Sequence, residues 1–345
     1  MKHFSFPSIG QYHNAVKSIR DNCEYHGTPL PTVTFQGTVK LHGTNAGVVL
    51  DLATNEMWAQ SREQCITPES DNAGFARFVS ENDNTFRTFF KTAQDRCGTG
   101  DDTAKPTHIA IFGEWCGKGI MKGVAIAELE KRFVVFGCRV ITDGEVPILR
   151  WLPVDDLTTI VKSAPNARIF CNQEFDKWTI EIDFARPEVA QNELVRITDE
   201  VENECPVGKF FGVSGIGEGV VWKILKSVPG MPHADEMIFK VKGKKHSDTK
   251  VKTTVEVDVE KVENARAYAD AVITDHRLEK MVEKLKEQGV PIDIKNTGAF
   301  LKLVGQDVIK EETDRLVASG LEWKDVSATV NFAAKQWWMK IVTAI

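Results

Sequence analysis

The stretch FQGTVKLHGTNAGVVL, residues 35–50, decides the fold, because it joins two apolar β-runs through a short polar turn. Lys40 closes the first run, and the turn that follows begins at once with Leu41 and His42. A lysine at a strand end that lies close to other cations loses its proton more readily and can act as a nucleophile. By this stretch alone, an ordinary hairpin with an exposed lysine is an open alternative.

Three later segments favour the chemical interpretation: AIFGEWCGKG at 110–119, GEGVVWK at 217–223 and MIFKVKGKKH at 237–246. Glu114 ends the first of these strands, and Glu218 opens the second between two glycines. Lys240 and Lys242 are expected on one face of the third, because side chains alternate with a period of two along a strand. In chain order, the segments supply a lysine nucleophile, two carboxylates and a paired cationic clamp.

The ordered set KLHGTN, FGE, EGVVWK and FKVK resembles the covalent nucleotidyltransferase superfamily of DNA ligases, RNA ligases and mRNA capping enzymes. Most DNA ligases have Asp-Gly after the nucleophile. The HGTN turn instead resembles the RNA ligase 2 family, the double-strand RNA ligases of bacteriophages and of mitochondrial RNA editing. The lysine pattern that ends in Lys245, His246 and Ser247 is similar to that family too. The similarity extends from about Lys40 to Ser247.

The resemblance implies an ATP-dependent reaction with Mg²⁺ or Mn²⁺ as the metal. Lys40 would attack the α-phosphorus of ATP and retain AMP as a lysyl-AMP phosphoramidate. Lys240 and Lys242 would neutralise phosphate charge, and Glu218 would act in catalysis by binding the metal. AMP would then move to the 5′-phosphate of a polynucleotide, and a 3′-hydroxyl would displace it.

The nucleotide-binding positions implied by the resemblance are Leu41, Asn45, Arg62, Glu114, Phe136 and Lys223. Glu114 would hydrogen-bond the ribose hydroxyls, and Arg62 would hold the ribose or a substrate phosphate unless it is only a salt-bridged surface residue. Phe136 would stack on adenine, with Phe133 as the alternative. The family often has an acidic residue where this chain has Gly137. His42 is assigned no catalytic role, because turn histidines commonly hydrogen-bond locally.

Five positions are expected to contact RNA: Lys244, Lys245, Arg277, Asp307 and Glu311. Asp307 and Glu311 are four residues apart and therefore share one face of a helix. The usual explanation of such a pair is an ordinary solvated helix face.

Composition agrees with a nucleic-acid enzyme once the charge distribution is considered. The formal net charge is −6, but residues 205–253 contain nine lysines and four acidic side chains. A local basic strip of this kind is what phosphate contact requires. Lysines such as Lys250 and Lys252 could instead only protect a solvated edge strand from aggregation. The seven scattered cysteines, with no C-x-x-C pair, indicate reduced thiols and not a zinc site or disulfide frame.

The chain is expected to have two domains: an α+β adenylyltransferase domain of antiparallel sheets at 1–251 and a small all-helical domain at 252–345. The helical domain is predicted from apolar residues that recur with helical periodicity, such as Leu278, Met281, Val282 and Leu285. DNA ligases and capping enzymes usually have a β-barrel OB domain at this position. A helical domain there is what the RNA ligase 2 resemblance implies.

The sequence therefore predicts an ATP-dependent RNA ligase that joins 3′-hydroxyl and 5′-phosphate ends, at nicks in duplex RNA. A monomer is expected. A location in the cytoplasm, or in the host cytoplasm for a viral protein, is expected because no apolar run is long enough to span a membrane and no signal peptide is recognisable. Two alternatives stay open: a DNA ligase or capping-type nucleotidyltransferase, and a non-catalytic RNA-binding protein on the same fold.

Overall fold

The computed structural model describes residues 1–26, 28–97, 105–142, 148–185, 187–225, 237–246 and 261–343. The chain divides into two compact units, Met1–Gly243 and Lys244–Ile345. The domain boundary predicted at 251 lies outside the described residues, as do Ser247, Lys250 and Lys252.

The first unit alternates short strands with helices, as the turn-rich sequence predicts. Its strands are β1 (Gly10–Gln11), β2 (Thr32–Lys40), β3 (Thr44–Asp51), β4 (Met57–Ser61), β5 (Cys65–Ile66), β6 (His108–Cys116), β7 (Arg132–Thr142), β8 (Ile148–Trp151), β9 (Ile169–Cys171), β10 (Lys177–Asp183), β11 (Gly219–Ile224) and β12 (Ile238–Lys242). Its α-helices are α1 (Tyr12–His26), α2 (Phe75–Glu81), α3 (Asp83–Arg96), α4 (Val154–Lys162), α5 (Glu188–Asn203) and α6 (Pro206–Phe210).

Within the described residues, β1, β12, β11, β2 and β10 form one sheet in that order, here called the small sheet. All its pairings are antiparallel except the short pairing of β1 with β12. One face of β2 carries Val33 and Phe35, which are buried against apolar residues of α1 and α5. The opposite face of the same strand ends in Lys40. Alternation along β2 therefore buries Val33 and Phe35 and leaves the lysine on the other face.

The remaining described strands form the large sheet, in the order β5, β4, β3, β6, β7 and β8, with β9 paired to β7. Phenylalanines of α2 and α3 and apolar residues of α4 cover one face of this sheet. The other face holds a smaller apolar cluster, which includes Val49, Trp58 and Phe112. Phe4 and Phe6 pack against that cluster, so the segment before β1 lies on this second face.

A β-bulge interrupts the pairing of β6 with β7. Phe112 pairs with Gly137, whereas the next residue, Gly113, pairs with Val135, so Phe136 is the extra residue. A bulge redirects the side chains beside it. As a result Phe136 and a Cβ at Gly137 both lie on the second face of the large sheet, against Phe6.

The described part of the second unit is helical: α7 (Lys261–Val272), α8 (Asp275–Glu287), α9 (Thr297–Ala318) and α10 (Trp323–Thr343). The stripe at Leu278, Met281, Val282 and Leu285 is buried in its core, as predicted. Among the described residues, each helix is too short or too polar to cross a bilayer. The predicted α+β class with antiparallel sheets and a helical C-terminal region is confirmed.

Candidate active site

Strand register brings the predicted lysines together on one face of the small sheet. Gly219 of β11 pairs with Lys40 of β2 on one side and with Lys242 of β12 on the other. Further along the same face, Lys240 of β12 pairs with Val221, and Lys223 of β11 pairs with Ile238. Three strands that are distant in sequence therefore place four lysines on one surface.

Glu218, just before β11, is the centre of this arrangement. The Nζ atom of Lys40 donates a hydrogen bond to Oε2 of Glu218 at 2.7 Å. Nδ1 of His42 lies 3.2 Å from the same oxygen, and Nζ of Lys242 lies 3.5 Å from Oε1. Since an ionised carboxylate only accepts hydrogen bonds, Nδ1 of His42 carries the proton. One buried carboxylate, only 3% exposed, thus gathers three basic side chains.

Glu218 is ionised despite its burial. Loss of solvation would raise its pKa, but the charges of Lys40 and Lys242 and the hydrogen bond from His42 outweigh it and hold the pKa well below the usual range. The site therefore contains a fixed negative charge surrounded by cations.

Two glycines permit the close approach of these side chains. Gly219 has a φ of +149°, and a Cβ there would lie 2.2 Å from the carbonyl oxygen of Val241. A Cβ at Gly43 would lie 2.4 Å from the carbonyl oxygen of Trp115. Neither position can hold a larger residue without movement of a neighbouring strand.

Glu114 and Asn45 form a second part of the site, on the large sheet. They pair directly across β3 and β6 and so share a face. Oε1 of Glu114 accepts a hydrogen bond from the backbone N–H of Gly43 at 2.9 Å, which ties the turn after Lys40 to the large sheet. Burial raises the pKa of Glu114 to about 7, Lys40 and Arg62 oppose that shift, and Glu218 adds to it.

Arg62 lies directly after β4 and is 42% exposed. Its Nε atom is 3.8 Å from Oε1 of Glu63, a surface pairing. Its charge also acts on Glu114. The geometry is compatible with both interpretations given from the sequence, a surface ion pair and a cation near the nucleotide, and the nucleotide role stays a prediction.

Phe136 lies in an aromatic cluster on the second face of the large sheet, and Lys223 of β11 contacts the same cluster. Phe136 packs edge-on against Phe6, with 4.9 Å between ring centroids. Lys223 places Nζ 5.4 Å from the ring centroid of Trp151. The alternative base-stacking residue, Phe133, is fully buried on the opposite face among the helices. The structure therefore favours Phe136 over Phe133.

Trp151 also accounts for a departure from the family pattern. A Cβ at Gly137 would lie 2.9 Å from the indole ring of Trp151. The space in which the family often has an acidic side chain is taken by this tryptophan.

The burial of Leu41 restricts the contact that this residue could make with a nucleotide. Its side chain is 7% exposed and packs in the core of the small sheet. Any contact of Leu41 with a nucleotide would therefore involve its backbone.

The structure changes the interpretation of the residues predicted to contact RNA in the helical unit. Arg277 is fully buried, donates to Oδ2 of Asp307 at 3.1 Å and to Oε1 of Glu312 at 2.9 Å, and also donates to the carbonyl of Val272. Asp307 and Glu311 are buried as well, so they do not form a solvated face. These side chains stabilise the interior of the unit. Lys244 and Lys245 are exposed, and their RNA contact stays a prediction.

His42 is a site residue that sequence reasoning set aside. Its position two residues after Lys40 was the available signal, but only the fold shows that it turns toward Glu218. Asn72 was also missed: its Nδ2 donates to Oγ1 of Thr44 at 3.1 Å and so supports the turn from a distant loop.

The capacity of the site to hold a divalent metal depends on its carboxylates. Within the described residues, His, Cys, Asp and Glu form no group of three or more that could hold a metal ion. Mg²⁺, however, is commonly bound by one or two carboxylates together with water and substrate phosphates. The ionised, buried Glu218 fits that kind of site, because it offers a carboxylate beside several lysines.

Comparison with protein families agrees with this geometry. The RNA ligase family model matches residues 33–242, more than half of the chain. No curated protein matches it. Among solved structures, the Naegleria gruberi RNA ligase with PPi is 14% identical with a TM-score of 0.43, over 70% of this chain and 56% of that one. A lysine-to-alanine variant of that ligase with ATP and Mn is 14% identical with a TM-score of 0.44, over 70% and 57% of the two chains.

The present chain thus spans just over half the length of those ligases. The matched segment of the family model, 33–242, begins just before Lys40 and ends at Lys242, and so contains the whole cluster around Glu218. This chain belongs to the RNA ligase family.

Proposed function

We propose that the protein is an ATP-dependent RNA ligase that seals 3′-hydroxyl and 5′-phosphate ends, preferably at nicks in duplex RNA. The observation that carries the proposal is the convergence of Lys40, Lys242 and His42 on the buried carboxylate of Glu218. A structural ion pair needs one cation, whereas phosphoryl transfer needs several cations around one nucleophile.

In the first step, the amine of Lys40 attacks the α-phosphorus of ATP. A nitrogen–phosphorus bond forms, the bond from the α-phosphorus to the bridging oxygen breaks, and pyrophosphate leaves. The lysine must give up its proton for this attack, since an ammonium group has no free electron pair. Glu218 accepts the hydrogen bond of that ammonium group and would hold Lys40 beside the α-phosphorus, while the proton leaves to solvent.

Two transfers complete the reaction. An oxygen of the RNA 5′-phosphate attacks the phosphorus of lysyl-AMP, which breaks the nitrogen–phosphorus bond and restores Lys40. The RNA 3′-hydroxyl then attacks the activated 5′-phosphate and expels AMP. Lys240 and Lys242 lie on the face of Lys40 and would neutralise phosphate charge in each step.

Glu218 would hold the divalent metal, Mg²⁺ or Mn²⁺, together with the phosphates of ATP. The metal, when bound, supplies positive charge that stabilises negative charge on the phosphates. Glu114 and Asn45 would bind the ribose side of the nucleotide, and Phe136 would stack on adenine.

Two features support RNA as the polynucleotide. The KLHGTN turn resembles the RNA ligase 2 branch, and the described residues after 260 are helical where DNA ligases usually have a β-barrel. The proposal of a nicked duplex as substrate is based on the same resemblance.

The first test is covalent labelling. Incubation with α-labelled ATP and Mg²⁺ should label the wild-type protein, and Lys40→Ala should carry no label. Lys17→Ala, which changes a lysine on α1, serves as the matched control and should label normally. A wild-type protein that stays unlabelled would contradict the enzymatic proposal and leave the non-catalytic RNA-binding protein as the interpretation.

The second test separates the substrates. Nicked RNA duplexes, nicked DNA duplexes and single strands are compared with ATP, and GTP is compared with ATP in labelling. We expect the fastest sealing at an RNA nick with ATP. Faster sealing of nicked DNA would indicate a DNA ligase, and labelling by GTP would indicate a capping-type enzyme.

A further inference from the structure

We propose that Phe6, held in place by residues 2–6, here called the strap, forms one wall of the nucleobase site and contacts the base. This inference rests on the proposed function, since it concerns the nucleotide that Lys40 would attack.

The strap is fixed to β4 by hydrogen bonds and not only by apolar packing. The side-chain amide of Gln60 donates to the carbonyl of Phe4 at 2.6 Å and accepts from its N–H at 3.1 Å. Trp58 Nε1 donates to the carbonyl of Lys2 at 3.2 Å. Gln60 is 1% exposed, and a buried amide is costly unless it is paired. Gln60 therefore specifies where the strap lies.

This position puts the ring of Phe6 among three other aromatic rings. Its centroid lies 4.9 Å from that of Phe136 and 5.4 Å from those of Phe112 and Trp151. The interplanar angles to these three rings are 68°, 61° and 65°, so each contact is edge-on. Phe6 therefore stacks face to face on none of these rings, whereas face-to-face stacking is the arrangement that a planar base takes on an aromatic ring.

The cluster also connects the two sheets. Trp151, which touches Phe6, lies under the ammonium group of Lys223 from β11. Phe136 and Lys223 are both among the nucleotide-binding positions that the sequence resemblance implies. Phe6 contacts the first directly and reaches the second through a single tryptophan.

The chemistry of the cluster matches a purine. Flat aromatic walls with a nearby cation are typical of sites that hold an electron-rich heteroaromatic ring. The hydrogen-bearing edge of Phe6 is its electropositive part, and it is suited to the π-face or the ring nitrogens of a base held on Phe136.

The test measures the KM for ATP and the maximal rate of protein adenylylation in Phe6→Ala. Loss of one aromatic contact should raise the KM about 3- to 10-fold and leave the maximal rate unchanged. Phe4→Ala is the matched control, because the Phe4 ring lies in the same strap but packs on His108 at 4.9 Å. Its KM should equal that of the wild type.

An unchanged or lower KM in Phe6→Ala would overturn the inference, and so would an equal rise in Phe4→Ala. Thermal unfolding is recorded for each variant, and Phe6→Leu replaces Phe6→Ala if the latter does not fold, judged by the same criteria. Calorimetric titration with ATP measures nucleotide binding without covalent chemistry. If the wild type binds ATP but is never labelled, the proposed function fails, while the affinity of the Phe6 variant still decides the role of the strap.

Discussion

The Nζ atom of Lys40 lies 2.7 Å from Oε2 of Glu218, although 178 positions separate the two residues in the chain. Lys40 ends one strand, Glu218 precedes another, and antiparallel pairing of β2 with β11 brings the two ends together. This contact joins the proposed nucleophile to the proposed metal ligand. It makes Glu218 the residue whose replacement should be most informative.

Glu218→Gln should lower protein adenylylation about 100-fold or more, because the amide keeps the size of the side chain but removes the charge at which Lys40 and Lys242 meet. The measurement is the initial rate of labelling with α-labelled ATP across a range of Mg²⁺ concentrations. Glu181→Gln, on the exposed side of β10, is the control and should match the wild type. Normal labelling by Glu218→Gln would remove the carboxylate from the mechanism.

Glu114→Gln should change how stability depends on pH. Burial raises the pKa of Glu114 to about 7, so the folded protein keeps this proton between pH 4.5 and 7 while the unfolded chain releases it. The contribution of Glu114 to stability is therefore complete below about pH 4.5 and is lost as the pH rises through 7. Relative to wild type, the glutamine variant should gain stability over this range, by on the order of 3 kcal/mol.

Denaturant unfolding of both proteins at pH 4.5, 6 and 8 tests the Glu114 prediction. Glutamine can still accept the hydrogen bond from Gly43, so geometry is preserved. A constant difference between the two proteins across pH would show that Glu114 has an ordinary pKa.

Gly219→Ala should destabilise the fold by about 3 kcal/mol, since it combines an unfavourable φ with a collision. The new Cβ would lie 2.2 Å from the carbonyl of Val241. Gly212→Ala is a matched control, because Gly212 has a φ of +76° and a Cβ there would meet no heavy atom within 4 Å. That control should lose only about 1 kcal/mol. Equal losses in the two variants, measured by denaturant unfolding, would argue against the collision.

Removal of the helical region should impair the sealing of RNA nicks but not the formation of lysyl-AMP. A protein that contains only residues 1–251 keeps Lys40, Glu218 and Lys242, so it should still form lysyl-AMP. It should seal RNA nicks poorly if the helical region helps to hold the nucleic acid. Labelling and nick sealing are measured on the same preparation. Unimpaired sealing by the shortened protein would exclude a role for the helical region in RNA binding.

Arg277→Met should destabilise the helical unit by about 3–5 kcal/mol, because it leaves the buried carboxylates of Asp307 and Glu312 without their partner. Lys286→Met removes only an exposed pairing with Glu283 and should cost less than about 0.5 kcal/mol. Denaturant unfolding followed by the circular dichroism of the helices gives the measurement. Near-equal stability of the two variants would show that the buried ion pairs of Arg277 do not stabilise the helical unit.

The order of the motifs predicted the family and the α+β class, and the β-branched runs predicted the strands well. The apolar run that Lys40 closes is observed as β2, and the run that follows its turn is observed as β3. Local alternation sets such elements, so a single sequence is sufficient to find them. The same alternation placed Lys240 and Lys242 on one face correctly.

Other residues were misjudged because their environment comes from distant parts of the chain. The spacing of Asp307 and Glu311 indicated a shared helix face, but spacing alone does not tell which face is buried. Arg277 of α8 pairs with Asp307 from another helix. His42 was set aside for the same reason, since its partner Glu218 is 176 positions away.

The sequence by itself determined the candidate nucleophile and carboxylates, through the resemblance of their motifs, and the strand faces, through a local period of two. Only the tertiary structure decided which side chains meet: three basic groups at Glu218, a backbone hydrogen bond on Glu114, and the Phe6 ring beside Phe136. The reason is physical. Charge–charge and aromatic contacts act over a few ångströms in space, and strand pairing sets those distances between residues that are far apart in the chain.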